Sequence, residues 1–422
     1  MGEQQAKHLK HKLEGVSPLS SECCIYMVPK RLRDVNEKAY TPQVVSIGPL
    51  HHGREGLEAM EDHKIRYVKD FLERTKVCME DCLNTLKEWE TRIRSCYAVK
   101  IEFNEQELVE MVLVDSIFTF ELLLRFSYST LQEGKVDRLF GKPWMLRDIT
   151  YDMLLLENQI PFFILEYLYA LALTGNTIPL QNNKVFSISE LTHKFLQNRV
   201  YIRPFEEMKE KINKHEGTKH FVDFVLTCHR PLPSELPKKK RLETLTIPSA
   251  TELYQSGVKF ENVDDKNIFD IKFEKGILKI PHLRIRGSTE IFFRNLIAYE
   301  QCELHDHYFN DYVFIIDRLV DTSKDVELLV KSGILESKLP DSEAAASYIN
   351  SLDFGPILFS RNFYFTDLCE KLNEYYAVPW HKWKASLKQD YFSTPWAGLS
   401  IVVAAILVVL TFIQTMCSIM AL

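Results

Sequence analysis

Residues 397–417 read AGLSIVVAAILVVLTFIQTMC and contain no charge. A soluble helix of that length normally carries a polar stripe. Here only Ser400, Thr411, Gln414 and Thr415 interrupt the apolar run. Roughly 20 apolar residues suffice to cross a bilayer as one helix, with every backbone group satisfied internally. The segment therefore predicts a C-terminal transmembrane helix. Tyr391, Phe392 and Trp396 precede it as an interfacial aromatic belt, with Lys382, Lys384 and Lys388 further back. Positive residues on that side predict a body facing the cytoplasm. Only SIMAL follows, which is the geometry of a tail-anchored protein of the endoplasmic reticulum or plasma membrane. The start, MGEQQAKHLKHKLEGV, has no apolar run of the signal-peptide kind. Ala6 stands where a myristoylation motif on Gly2 needs Ser or Thr.

The other residues have globular composition. The 422-residue chain is 46% hydrophobic and 26% charged, with a formal net charge of -6. There is no overall basic field for holding phosphates, so nucleic acid is not an expected partner. Nine cysteines occur without any CxxC pair, which disfavours a zinc ribbon or thioredoxin-like site and reads as a set of free thiols.

Periodicity predicts a mainly α fold, a helical body with a small β-hairpin element. Residues 1–22 read as a mobile tail and residues 23–230 as a helical part opened by an extended, Pro-containing arm. Residues 231–250 read as a Pro/Lys-rich linker and residues 251–390 as a C-terminal part with the hairpin and further helices. Within 23–230, helices are expected at about 57–75, 76–98, 104–127 and 187–198. Another stretch is broken or bent by Pro161. NIFDIKFEKGILKIPHLRI alternates apolar and polar residues around Glu274-Lys275-Gly276, the pattern of a hairpin.

VSIGPLHHGREGLEAMEDHKIRY, residues 45–67, crowds histidines, glycines and acids together. His51-His52 fails the acyl-transfer pattern HHxxxDG, because Gly56 and Leu57 stand where Asp and Gly are required. Zinc would want HExxH or a comparable set of paired ligands. Glu61 and His63 are two apart and do not share a helix face. No metal and no cofactor is expected; a turn followed by a capped helix fits the residues better.

Buried carboxylates carry more information. Asp115, Glu121, Glu157 and Glu300 lie inside apolar helical patterns and need partners. Arg125 stands four residues after Glu121, and Arg294 four after Glu290. The candidate binding residues are therefore His52, Glu61, His63, Lys64, Arg66, Asp115, Glu121, Glu157, Arg294 and Glu300. If the acids converge on an open cavity, a metal- and phosphate-dependent enzyme of isoprenoid type is the alternative, although no DDxxD-like cluster is present. Pro237–Arg241, PKKKR, reads as a solvated linker, with contact to anionic lipid as the other use.

Five stretches occur in order: VPKRLRDVNEKAYTPQVVSIGPLHHG, MEDHKIRYVKDFL, LLLENQIPFF, EIFFRNLIAYEQC and YFSTPWAGLSIVVAAILVVLTFIQT. Together they resemble the plant family called domain of unknown function 247, from about residue 22 to the apolar segment. The resemblance implies a plant protein with a helical body and one C-terminal membrane helix. It implies no agreed reaction. Some grass members are associated with pollen–stigma self-incompatibility, which points to recognition. The expectation is a single-pass membrane protein, leaning away from enzyme activity, that binds a protein or small-molecule partner through its helical body.

Overall fold

The computed structural model describes residues 20–133, 137–175, 177–180, 184–197, 199–214, 217–231, 236, 246–263, 267–302, 307–352, 363–379 and 395–420. Most of the expected tail and linker, with the basic run Pro237–Arg241, lies outside the described residues, as do Lys382, Lys384, Lys388, Tyr391 and Phe392.

Along the chain the helices are α1 (Lys30–Arg33), α2 (Glu58–Thr75), α3 (Met79–Glu88), α4 (Glu90–Ser95), α5 (Glu105–Ser127) and α6 (Pro143–Asp152). There follow α7 (Phe162–Thr174), α8 (Ile188–Leu196), α9 (Phe205–Lys214), α10 (Phe221–His229), α11 (Ala250–Gln255) and α12 (Gly287–Cys302). The last are α13 (Tyr308–Leu319), α14 (Ser323–Lys331), α15 (Ser342–Asn350), α16 (Thr366–Tyr376) and α17 (Pro395–Met420). The strands are β1 (Lys259–Val263), β2 (Lys272–Glu274), β3 (Ile277–Pro281), β4 (Leu283–Ile285) and β5 (Leu335–Ser337). The chain forms two compact units, Met1–Arg230 with Gly287–Phe309, and Pro231–Arg286 with Asn310–Leu422. Helix α12 thus belongs with the first unit although it follows part of the second in sequence.

The first unit is built round α5. Asn104 caps it: Glu107 N donates to Asn104 Oδ1 at 2.9 Å and Asn104 N to Glu107 Oε2 at 3.0 Å, a capping box. Beyond its first turn α5 is buried on almost every side, as an apolar helix in the middle of a core must be. Helix α2 presents Met60, Lys64, Tyr67, Val68 and Phe71 to that core at helical spacing. It ends at Lys76, whose φ of 57° stops the helix. Where a helix bent or broken at Pro161 was expected, the chain leaves the helix after Asp152 and re-enters at Phe162. Pro161, with φ -61°, sits at the start of α7, where its missing N–H costs nothing.

The second unit holds two small sheets. β2 and β3 form the expected hairpin, antiparallel with Phe273 opposite Leu278. Its turn residues Lys275 and Gly276 both have positive φ, 50° and 78°, the twist that a two-residue hairpin loop requires. β3 ends at Pro281, which cannot donate to a further ladder rung. β4, expected to prolong it, instead pairs in parallel with β5. β1 adds in parallel beside β3. Strands this short and separated by helices leave no clear alternation in the sequence.

Among the described residues no helix is long and apolar enough to cross a membrane, so the expected span is not supported as a described feature. α17 has 26 residues and carries no acid or base.

Candidate functional site

Residues 24–48 run as an arm with little regular structure, so its amides need partners from elsewhere. Side chains at the end of α6 and in the non-helical stretch after it supply them. Asp152 accepts from Gln43 N, Val44 N and Val45 N at 2.9, 2.7 and 2.9 Å. Asn158 accepts from Ile47 N at 2.7 Å and donates to Val45 O at 3.0 Å. Glu157 accepts from Val28 N at 2.6 Å. Asn295 on α12 accepts from Leu156 N and donates to Ala39 O, at 2.9 and 2.8 Å. Gly48 N donates to Asp115 Oδ2 at 2.8 Å. The stretches VVSIGPL, LLLENQIP and FFRNLIAY thus meet as one polar fastener.

The histidine loop lies at the end of the arm. His51 is buried, with Nε2 3.7 Å from Glu157 Oε2. Burial, then Arg54 and Arg33, lower its pKa to about 4, so it is neutral near pH 7. His52 is exposed and sits edge-on to Phe103, ring centroids 5.7 Å apart. His63 is half-buried; burial, then Arg66, lower its pKa. Arg66 is exposed. Lys64, also within residues 45–67, reaches the buried acid Asp115. It is fully buried, with Nζ 2.6 Å from Asp115 Oδ1 and 2.7 Å from Glu61 Oε1. Burial by itself would lower Lys64, but the Asp115 and Glu61 carboxylates hold it above the ordinary lysine value.

The other acids close separately. Glu121 pairs with Arg74 and with Arg125, Nε to Oε2 at 3.4 Å. Arg125 also holds Asp70 at 2.6 Å and Asp137 at 3.0 Å, with its guanidinium 3.9 Å above the Tyr67 ring. Tyr67 donates to Asp137 at 2.7 Å. Burial, then Asp137, push the Tyr67 hydroxyl above its ordinary value. Glu157 pairs with Arg33, Arg294 with Glu290 at 2.7 Å, and Glu300 accepts from Phe309 N at 2.9 Å. Asp115, Glu121, Glu157 and Glu300 therefore do not converge on an open acidic cavity. Among the described residues no three His, Cys, Asp or Glu side chains form a group that could hold a metal.

His51 yields a pH prediction. Its pKa is about 4 in the fold and about 6.5 when unfolded. A depressed folded pKa gives stability that is complete above the unfolded value and lost as pH falls toward the folded one. Between pH 7 and 4.5 the wild type is expected to lose about 2 kcal/mol more than His51→Asn. Parallel urea-unfolding curves for the two proteins across that range would show no histidine contribution.

An open groove lies elsewhere in the first unit, between α2, α3 and α5. Its volume is about 760 Å³. Val68, Leu72, Leu83, Val109 and Leu113 are among its apolar lining residues, with exposed Ile65 and Met79 also lining it. Lys69, Glu73, Lys87, Glu105 and Glu110 add charge. Lys87 and Glu105 pair at 3.2 Å, and Lys69 and Glu73 at 3.8 Å. Val68 and Leu72 stand at the helical spacing of an ordinary core stripe. Nothing local distinguishes a stripe that meets another helix from one that borders a groove. Asn158, Gln159 and Asn295 had a signal that went unused: uncharged polar side chains inside strongly apolar runs.

The family profile described as a plant protein of unknown function, DUF247, matches residues 25–410. The UPF0481 protein At3g47200 of Arabidopsis thaliana is 26% identical, covering 94% of this chain and 87% of its own. A second UPF0481 protein of that plant, At3g02645, is also 26% identical, covering 96% and 91%. No solved structure matches. With the profile covering nearly the whole chain, this protein belongs to the DUF247 family of plant proteins.

Proposed function

We propose that this is a membrane-anchored recognition protein whose helical body seats an apolar segment of a partner protein. The open groove between α2, α3 and α5 is the observation that carries the proposal. An apolar floor bordered by both signs of charge suits an amphipathic helix with apolar residues on one face and mixed charges along its flanks. The acidic-pocket enzyme has no comparable support, since its carboxylates are engaged with arginines, a lysine and backbone amides.

We propose α17 as the membrane attachment, with the body on the cytoplasmic side. Its 26 residues extend about 39 Å at the usual rise, against roughly 30 Å of hydrocarbon. Val408 and Phe412 are 69% and 68% exposed. Thr411 and Thr415 turn their hydroxyls back onto the carbonyls of Leu407 and Thr411, at 2.7 and 2.8 Å, which suits an apolar surround.

Proximity labelling in plant cells tests both parts. The full chain, an Ile65→Glu/Met79→Glu variant and the apolar segment alone would be compared, each fractionated through alkaline carbonate. Partners labelled by the wild type and lost in the groove variant are expected, with all three forms in the carbonate-resistant membrane pellet. Identical partners for wild type and variant would sink the groove assignment. Release of the full chain by carbonate would sink the attachment.

A further inference from the structure

Cys24 and Cys96 are far apart in sequence and adjacent in the fold. Ile25 and Tyr97 form a parallel bridge. Cys24 N and Ile25 N both donate to Cys96 O at 2.9 Å, and Ala98 N donates to Ile25 O at 2.9 Å. In such a pairing the residues one step before the bridge point to the same face. Neighbouring strands about 4.8 Å apart place the backbones inside the Cα range that a disulfide spans. The two thiols are neighbours, and both residues are buried. Cys96 Sγ also lies 3.3 Å from Arg92 O.

We propose that Cys24 and Cys96 are a modification site: a small peroxide converts them to a reversible disulfide that fastens the N-terminal arm to the segment after α4. The neighbouring Cys24 thiol holds Cys96 below the ordinary thiol value, whereas Cys96 and burial hold Cys24 far above it. Cys96 is thus the attacking thiolate. Its sulfur takes one peroxide oxygen as the O–O bond breaks. The departing hydroxide recovers, as water, the proton that Cys96 had released. Cys96 is now a sulfenic acid. The Cys24 sulfur attacks it, the S–O bond breaks, and that oxygen leaves as water with the Cys24 proton and its own. Two thiols lose two electrons, hydrogen peroxide gains them, and the products are one disulfide and two waters. In a reducing compartment the bond would be transient.

The linkage bears on the same arm that Asp152, Asn158, Glu157 and Asp115 hold. Cys24 O also accepts from His220 Nε2 at 2.9 Å, so the site is already fixed in place before oxidation. Geometry of this kind favours one specific bond over random pairing.

The experiment treats the reduced full-length protein with hydrogen peroxide, alkylates it under denaturing conditions and analyses intact mass and peptides. A mass decrease of about 2 Da before alkylation is expected, two hydrogens, together with loss of two alkylatable thiols. A peptide joining Cys24 to Cys96 should appear and vanish with dithiothreitol. Fragmentation between Cys23 and Cys24 assigns the partner in the wild type itself, whatever the folding of variants. Cys23→Ser and Cys78→Ser should keep the linkage; Cys24→Ser and Cys96→Ser should lose it. Linkage through Cys23, or oxidation of Cys96 without any linkage, would overturn the proposal.

Discussion

Gly48→Ala is expected to destabilise the first unit by about 3–5 kcal/mol, a size reserved for a few mechanisms. Two penalties combine. Gly48 has φ 76°, which costs an L side chain roughly 1–2 kcal/mol. A Cβ there would also lie 2.4 Å from the Gln159 carbonyl oxygen and 3.1 Å from the Tyr97 hydroxyl. The first of these is backbone and cannot rotate away, so the arm must lift. Lifting pulls Gly48 N from Asp115 and leaves a buried acceptor short of a donor, costing about 1–3 kcal/mol. Gly53 is the control. Its φ is 75°, but a Cβ there meets nothing within 4 Å. Gly53→Ala should cost only the backbone penalty. Urea unfolding followed by circular dichroism compares them; equal losses would mean that the close approach to Gln159 contributes nothing.

Lys64→Met is expected to cost about 3–5 kcal/mol, because it leaves the Asp115 carboxylate buried without its cation. Asp115 is 1% exposed and Lys64 fully buried. The remaining Gly48 amide cannot balance a full charge. Lys64→Met/Asp115→Asn removes both charges while Asn keeps an acceptor for Gly48. The double variant should recover most of the loss, since replacing a buried pair is often close to neutral. A double-mutant cycle by urea unfolding measures the coupling. Simple addition of the two single losses would show that Lys64 and Asp115 act independently.

Both experiments concern the stretch that looked most like chemistry. Its crowded histidines and acids resolve into a turn, a buried ion pair and the end of an arm. Pro49 and the positive φ of Gly48 set the turn, the Lys64–Asp115 pair holds it, and His52, His63 and Arg66 remain at or near the surface.

The sequence by itself determined the mainly helical architecture, the hairpin at Glu274–Ile277 and the family. These rest on local signals: 3.6-residue periodicity over α2 and α5, capping by Asn104, turn residues Lys275 and Gly276, and motif blocks in order. It also identified Asp115, Glu121 and Glu157 as acids needing partners, because burial of an apolar run is visible locally. The i,i+4 pairing of Glu121 with Arg125 was also legible; the other cations were decided by the tertiary structure. Arg33, Lys64 and Arg74 come from positions 47 to 124 residues away, and no periodicity encodes such pairings. The same holds for β1 beside β3, β4 beside β5, the return of α12 to the first unit, and the meeting of Cys24 with Cys96. The groove follows that rule too. Periodicity says which side of α2, α3 and α5 is apolar; only the packing of those helices decides whether that side is filled or left open.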